Sequence, residues 1–254
     1  MAANSKGRFV WYDLMTTDPG AATAFYSPVT GWGTQAWDGP MPYTMWTNKG
    51  TPIGGIMPVQ NPSAPPHWLA YISTPNVDNT VKQGAELGAR VVAPPADIPS
   101  VGRYAVIADP QGAVFAAFTP SYPTSNKTGT EPQHGEFSWH ELAAHDMPAA
   151  FRFYERLFGW EKMTDFDMGE MGIYQMYGRD GVRLGGMFNK PPQMPVSAWL
   201  YYVQVPDVHR AAETVKQRGG QIVQDPMEVP GGDWIAQCVD PQGAMFALHA
   251  KKSV

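Results

Sequence analysis

The apolar residues of this chain fall into short runs separated by turn-forming residues, and the same order of runs occurs twice. RFVWYDLMT predicts a strand, and DPGAATAFYSPVTGW predicts a short helix capped by Asp18 with Pro19 at its first position. Short strands are predicted around PYTMWTNKG, PIGGIMPV and HWLAYIST. A second helix is predicted over 78–88, followed by a hairpin around the turn DPQG.

The second half of the chain repeats this order. WYDLMTTDPGAATAFYSPVTGW at 11–32 matches WHELAAHDMPAAFRFYERLFGW at 139–160, and DPQGA at 109–113 matches DPQGA at 240–244. The offset between the copies grows from 128 to 131 residues, which predicts a three-residue insertion between Trp160 and Tyr174. A period of this size indicates a domain duplication.

The repeat and the composition of the connecting segment predict the domain organisation. The first domain is predicted over 7–119, a linker rich in Pro, Ser, Thr and Gly over 120–135, and the second domain over 136–251. Each copy holds two strand–helix–strand–strand–strand modules. The predicted fold class is therefore α+β, built from four βαβββ modules.

Composition limits the function classes. The chain has 254 residues, 43% hydrophobic and 16% charged, as in a globular protein, and its net charge of −5 without basic clusters argues against a nucleic-acid partner. A single cysteine, Cys238, allows no intrachain disulfide and no cysteine zinc cluster. Without a long apolar run, we expect no membrane association and a cytoplasmic location.

The repeated motifs resemble the vicinal oxygen chelate superfamily, which includes glyoxalase I, bleomycin-resistance proteins and extradiol dioxygenases. The resemblance rests on the D…FY…GW blocks at 18–32 and 146–160, the glycine pairs at 54–55 and 185–186, and the two DPQG turns. It covers nearly the whole chain outside the linker and is greatest to tandem, two-domain, glyoxalase-like proteins. It implies two cups of eight strands, one for each half of the chain.

The resemblance also implies where metal ligands would stand in each cup. His, Gln or Glu hold the metal in members that use one. The matching positions in this chain are Trp11, Trp68, Ala116 and the region of Gly54 in the first cup, and Trp139, Trp199, Ala247 and the region of Gly185 in the second. Indole and methyl groups offer a metal no donor. We therefore expect no metal and no cofactor, and cups walled by tryptophan.

Several polar side chains are candidates for ligand contacts. Asp13 and Glu141 occupy equivalent positions two residues after Trp11 and Trp139, so each shares that tryptophan's face of the strand and could act as a base. The alternative for both is a carboxylate that bonds a neighbouring loop. Tyr43 and Tyr174 are also equivalent, and either line a pocket or reflect ordinary strand alternation.

His249 and Arg103 differ between the copies. His249 shares a strand face with Ala247 and could serve as a base or hydrogen-bond partner; the alternative is a structural histidine. Arg103 could bind an anionic ligand or form a surface ion pair. The segment HELAAH does not predict a zinc protease, because its histidines are five residues apart where that motif needs four.

Two functional hypotheses follow. The first is a protein that binds a small, flat, largely apolar molecule in its tryptophan-lined cups, either as sequestration or for metal-free chemistry. The molecule would stack on the pair Trp11 and Trp68 or on the pair Trp139 and Trp199. The second is a metal-dependent glyoxalase, lyase or dioxygenase whose ligands come from His67, His140, Glu141 and His249, which requires a strand register shifted by one residue. Two domains in one chain favour a monomer, with a homodimer as the alternative.

Overall fold

The computed structural model describes residues 6–39, 42–61, 64–121 and 131–252. It contains the four predicted modules, each a strand, a helix and three strands. Residues 122–130 of the predicted linker lie outside the described residues.

The first half of the chain forms two modules. The first comprises strand β1 (Phe9–Thr16), helix α1 (Pro19–Thr30), and strands β2 (Gly33–Ala36), β3 (Thr44–Asn48) and β4 (Thr51–Pro58). The second comprises β5 (His67–Ser73), α2 (Val77–Glu86), β6 (Arg90–Ile98), β7 (Gly102–Ala108) and β8 (Val114–Pro120).

The second half repeats them. The third module comprises β9 (Phe137–Ala144), α3 (Met147–Phe158), β10 (Glu161–Asp167), β11 (Ile173–Arg179) and β12 (Val182–Asn189). The fourth comprises β13 (Ala198–Gln204), α4 (Val208–Gln217), β14 (Gln221–Glu228), β15 (Trp234–Val239) and β16 (Met245–Ala250). A short 3-10 helix, Gly169–Met171, lies within the predicted insertion.

Local sequence signals set the helix ends. The Asp18 carboxylate accepts a hydrogen bond from the Ala21 amide, and Asp146 does the same for Ala149, both across 2.9 Å. Gly31 ends α1 in the left-handed conformation, which a glycine adopts without steric cost. The N-cap predicted at Asp18 is confirmed. The second helix of the first half, α2, begins one residue earlier and ends two residues earlier than predicted, and its C-cap is Leu87.

The strands form two eight-stranded mixed sheets, one from each half of the sequence. The strand orders are β2-β3-β4-β1-β5-β8-β7-β6 and β10-β11-β12-β9-β13-β16-β15-β14. Within each module the first and last strands pair in parallel and the others pair antiparallel. The predicted α+β class and the four βαβββ modules are confirmed.

Packing divides the chain into two compact units that differ from the two sequence halves. Unit 1 contains the described residues of 1–11, 70–130 and 140–199, and unit 2 contains those of 12–69, 131–139 and 200–254. Each unit therefore combines segments from both copies of the repeat. The domain boundaries drawn from the sequence remain a prediction.

An aromatic cluster fills unit 2. The Tyr26 hydroxyl lies at its centre, where it donates to Oδ2 of Asp240 and accepts from the Trp68 indole, each across 3.0 Å. Trp32, from the repeated Gly-Trp motif, packs against Trp68 and donates its indole N–H to the Gly135 carbonyl. These contacts join the two copies of the repeat inside one core.

Unit 1 has the equivalent arrangement. The Tyr154 hydroxyl donates to Oδ2 of Asp109 across 3.0 Å, and the Trp160 indole donates to the Gly7 carbonyl across 2.8 Å. Burial is the main cause that raises the pKa of Asp109 and of Asp240. The aspartate of each DPQG turn also accepts amide hydrogens of its own turn. The motif therefore ties its turn to a helix from the other copy.

Candidate functional site

Each unit contains a buried carboxylate that accepts a hydrogen bond from a tyrosine. In unit 2 the Tyr43 hydroxyl donates to Oδ1 of Asp13 across 2.5 Å, and Asp13 is only 3% exposed. In unit 1 the Tyr174 hydroxyl donates to Oε2 of Glu141 across 2.9 Å, and Glu141 is 9% exposed. The structure thus brings together four of the predicted site residues, in two acid–tyrosine pairs at equivalent positions.

The repeated glycine pair makes these contacts possible. Asp13 lies opposite Gly55 in the parallel pairing of β1 with β4, so the two residues share one face of the sheet. A Cβ atom at Gly55 would collide with the Tyr43 ring, which lies over this glycine. Glu141, Gly186 and the Tyr174 ring have the same relation in unit 1.

The preceding glycine of each pair has a different role. A Cβ atom at Gly54 would collide with the Tyr12 carbonyl oxygen, and one at Gly185 with the His140 carbonyl oxygen. These glycines allow the parallel strands to approach closely. The Gly-Gly motif therefore fixes both the strand spacing and the place of the tyrosine ring.

The aromatic neighbours of the two tyrosines differ. Trp37 packs edge-to-face on Tyr43, with ring centroids 6.0 Å apart, and its amide bonds the Tyr43 carbonyl. Tyr174 instead stacks on Phe188 with centroids 5.9 Å apart. Sequence reasoning missed Trp37, because the offset between the copies changes within this segment and hides its counterpart. The strand register shows that counterpart to be Phe166, which lies opposite Tyr174 as Trp37 lies opposite Tyr43.

The tryptophans predicted to line the cups differ in burial and in the packing unit to which they belong. Trp68 is 7% exposed within the aromatic cluster of unit 2. Trp199 packs against Tyr154 and Trp160 in unit 1. Trp11 and Trp139 are half-buried. Trp11 and Trp68 belong to different units, as do Trp139 and Trp199, so the two stacking pairs remain a prediction.

Arg103 and His249 are held by other side chains. The Arg103 guanidinium pairs with Asp78 and Asp97 at 2.8 Å each, which corresponds to the surface ion pair considered from the sequence. His249 bonds Ser138 through Nδ1 and Asp233 through Nε2, across 2.9 and 3.0 Å. Both remain candidate ligand-binding residues, as predicted.

The alternative metal ligands do not form a donor set. His140 and Glu141 belong to unit 1, whereas His67 and His249 belong to unit 2. The His140 ring stacks on Phe9 with centroids 3.7 Å apart and bonds the Leu184 carbonyl, and burial lowers its pKa to about 4. Throughout 6–39, 42–61, 64–121 and 131–252, no three His, Cys, Asp or Glu side chains are grouped so that they could hold a metal ion. Within these described ranges, the donor groups therefore do not fit the metal that the family resemblance implies.

Two family models match the chain. Residues 136–248 match the Glyoxalase/Bleomycin resistance protein/Dioxygenase superfamily, and residues 10–118 match the Glyoxalase-like domain. Each match covers one copy of the repeat. The chain belongs to this superfamily, and the resemblance drawn from its motifs is confirmed.

Curated relatives fall into two groups. "Putative glyoxylase CFP32" of Mycobacterium tuberculosis is 38% identical over 120 residues, but that match spans only 46% of each chain, about half the length of the relative. The anthracycline biosynthesis proteins DauV of Streptomyces sp. (strain C5) and DnrV of Streptomyces peucetius are 25% and 26% identical. Those two matches cover 98% of this chain and 94% of each relative.

Solved structures show the same fold. The Mn(II)-bound glyoxalase from Novosphingobium aromaticivorans matches with a TM-score of 0.66 and 15% identity, over 100% of this chain and 84% of that chain. An extradiol ring-cleaving dioxygenase from B. fuscum matches with a TM-score of 0.69 and 15% identity, over 99% and 73%. At this identity the likeness concerns the fold alone.

None of the described helices is long and apolar enough to cross a membrane.

Proposed function

We propose that this protein binds a small, flat, largely apolar molecule that carries hydroxyl groups, and that it does so without a metal ion. The observation that carries the proposal is the buried acid–tyrosine pair, which occurs in both units with the same partners and the same underlying glycine. A shared scaffold requires strands and turns, but it does not require a carboxylate inside. Its presence in both copies supports the proposed role in recognition.

The chemistry of the pair defines the ligand. A tyrosine that donates its proton to a carboxylate presents acceptor oxygens to a third group, so the complementary ligand group is a hydrogen-bond donor such as a phenolic hydroxyl. Trp37 beside Tyr43 and Phe188 beside Tyr174 supply aromatic surface for a planar ring. Stacking on such surfaces adds about 0.5–1.5 kcal/mol to the binding free energy beyond area burial.

The relatives support the same ligand class. DauV and DnrV, which align with this chain along nearly its whole length, are named for anthracycline biosynthesis. Anthracyclines are planar, hydroxylated polycyclic molecules. We extend to this chain only that chemical class, and we propose binding at the two acid–tyrosine pairs.

The test is a titration of chelator-treated full-length protein with 1,8-dihydroxyanthraquinone, followed by tryptophan fluorescence and calorimetry. We expect saturable binding that persists without added metal. Tyr43→Phe with Tyr174→Phe should weaken binding about tenfold, because one hydrogen bond at each pair is lost. Gly186→Ala should weaken binding at the Tyr174 site alone, because the added methyl group displaces the Tyr174 ring.

Tyr104→Phe is the matched control, since Tyr104 packs against Tyr71 and not against either acid. Its affinity should equal that of the wild type. Unchanged affinity in the Tyr43→Phe, Tyr174→Phe double variant would contradict the proposed site. Binding that appears only after Zn²⁺, Mn²⁺ or Fe²⁺ is added would contradict the metal-free proposal.

A further inference from the structure

A second polar constellation lies in unit 2, outside the acid–tyrosine pair. The Ser138 hydroxyl on β9 bonds Nδ1 of His249 on β16 across 2.9 Å. Nε2 of the same imidazole bonds Oδ2 of Asp233, which immediately precedes β15, across 3.0 Å. Serine, histidine and aspartate thus form one continuous line of hydrogen bonds through the imidazole ring.

The partners fix the direction of the protons. A carboxylate only accepts, so the bond to Asp233 places the imidazole proton on Nε2. Nδ1 then has a lone pair directed at Ser138. The serine hydroxyl has two acceptors, Nδ1 of His249 at 2.9 Å and the Tyr202 carbonyl at 3.3 Å, and the shorter contact directs its hydrogen to Nδ1. This is the arrangement in which a histidine removes a proton from a serine while an acid orients the ring.

The aspartate is itself held in place. Its second oxygen, Oδ1, accepts the Lys252 amide across 3.0 Å, and its carbonyl accepts the Val229 amide across 2.8 Å. It follows Gly231 and Gly232, which both have positive φ angles. A Cβ atom at Gly232 would press on the Lys252 side chain. The turn therefore positions Asp233 against the histidine.

The duplication provides an internal comparison. The first copy has Val10, Gly102 and Phe118 where the second has Ser138, Asp233 and His249. The same module forms in the first copy with none of the three polar groups. The line of hydrogen bonds is therefore not a requirement of the fold. His249 is only 14% exposed and Asp233 is 36% exposed, so the constellation lies near the surface without being fully solvated.

We propose that Ser138 is a nucleophile activated by His249 and Asp233, and that it accepts an acyl group from an aryl ester. The Ser138 oxygen forms a bond to the ester carbonyl carbon, and its proton passes to Nδ1 of His249. The bond from the carbonyl carbon to the aryl oxygen then breaks, and the departing phenolate takes the proton from Nδ1. The products are acyl-Ser138 and a phenol, and water later hydrolyses the acyl-enzyme to a carboxylic acid and free serine.

The test uses two probes on the full-length chain. A fluorophosphonate probe should give one adduct, which peptide mass spectrometry should locate at Ser138. p-Nitrophenyl acetate should release a burst of about one equivalent of nitrophenol for each chain. Both signals should disappear in Ser138→Ala and persist in Ser121→Ala, whose serine is exposed and outside the constellation.

The first copy supplies matched variants. His249→Phe and Asp233→Gly each restore the first-copy residue, so the fold should tolerate them, and circular dichroism checks that it does. Loss of the base should slow labelling about 100-fold or more. The proposal is overturned if the wild type shows no adduct, if the adduct lies elsewhere, or if folded His249→Phe reacts at the wild-type rate. None of these outcomes depends on anthraquinone binding, which tests the other site.

Discussion

His140 shows at the scale of one residue how the two copies have diverged. Its ring stacks on Phe9 in unit 1, while Tyr12, the equivalent residue, stacks on Phe137 in unit 2. Both pairs have ring centroids 3.7 Å apart. Burial lowers the pKa of His140 to about 4, although its bond to the Leu184 carbonyl acts in the opposite direction. Between about pH 4 and pH 6.5, the histidine is therefore mostly neutral in the folded protein, whereas it is mostly protonated in the unfolded chain.

This difference predicts a pH dependence of stability. Because the folded pKa lies below the unfolded value of 6.5, the unfolded chain takes up the proton first as the pH falls. The stabilising contribution of neutral His140 to the free energy of unfolding is fully present above pH 6.5. It is lost as the pH falls from 6.5 to about 4. Between pH 7 and pH 5 the loss should be about 2 kcal/mol.

His140→Tyr, which copies the first half, isolates this effect. Urea unfolding at pH 7 and at pH 5 measures how far the free energy of unfolding falls between the two. This fall should be about 2 kcal/mol smaller in the variant than in the wild type. Equal drops in both proteins would show that His140 protonates freely when folded, and the buried environment described for it would be wrong.

At the scale of elements, the DPQG turn and the Phe-Tyr pair of the first helix depend on each other. Tyr26 on α1 bonds Asp240 of the second copy's turn, and Tyr154 on α3 bonds Asp109 of the first copy's turn. The sequence predicted each motif and its place, since capping and turn residues act locally. It could not predict their pairing, because a repeat shows which segments are alike and not which segments touch.

Tyr26→Phe should lower the free energy of unfolding by about 2–3 kcal/mol. The variant leaves the buried Oδ2 of Asp240 and the Trp68 indole without their shared hydroxyl, and each lost bond costs about 1–3 kcal/mol. Tyr154→Phe should produce a similar fall through Asp109. Denaturant unfolding measures both. A change below about 0.5 kcal/mol in both variants would show that these bonds do not stabilise the cores.

The site was partly predictable at this scale. Equivalent positions in the repeat identified Asp13, Glu141, Tyr43 and Tyr174 as candidates. The bond within each pair depends on Gly55 or Gly186 leaving room for the tyrosine ring, which is a property of the strand register. Ser138 and Asp233 were missed because the first copy has no polar residue at the equivalent positions, so the repeat does not mark them.

At the scale of the whole molecule, the two halves of the sequence do not coincide with the two compact packing units. The sheets follow the halves, as the module order predicted. The cores do not, since unit 2 combines Phe25 and Trp32 of the first copy with Phe246 of the second. Module pairing within a core depends on tertiary contacts far apart in sequence, so the repeat alone could not reveal it.

Expression of single halves tests this description. Residues 7–119 alone should show a red-shifted tryptophan emission, because Trp32 and Trp68 lose the second-copy side of their core. Adding residues 136–251 should restore the emission of the intact chain. If 7–119 alone unfolds cooperatively with native-like emission, each half would be an independent domain and the packing units would lack energetic meaning.

The central proposal is that this member of the Glyoxalase/Bleomycin resistance protein/Dioxygenase superfamily binds its ligand at the two acid–tyrosine pairs and needs no metal ion to do so. The most direct measurement is the metal content of untagged protein purified without chelator, by plasma mass spectrometry, before and after incubation with each metal and desalting. We predict far less than one equivalent of zinc, iron, nickel or manganese for each chain. A content near one equivalent would contradict the account, and the search for ligands would return to His67, His140, Glu141 and His249.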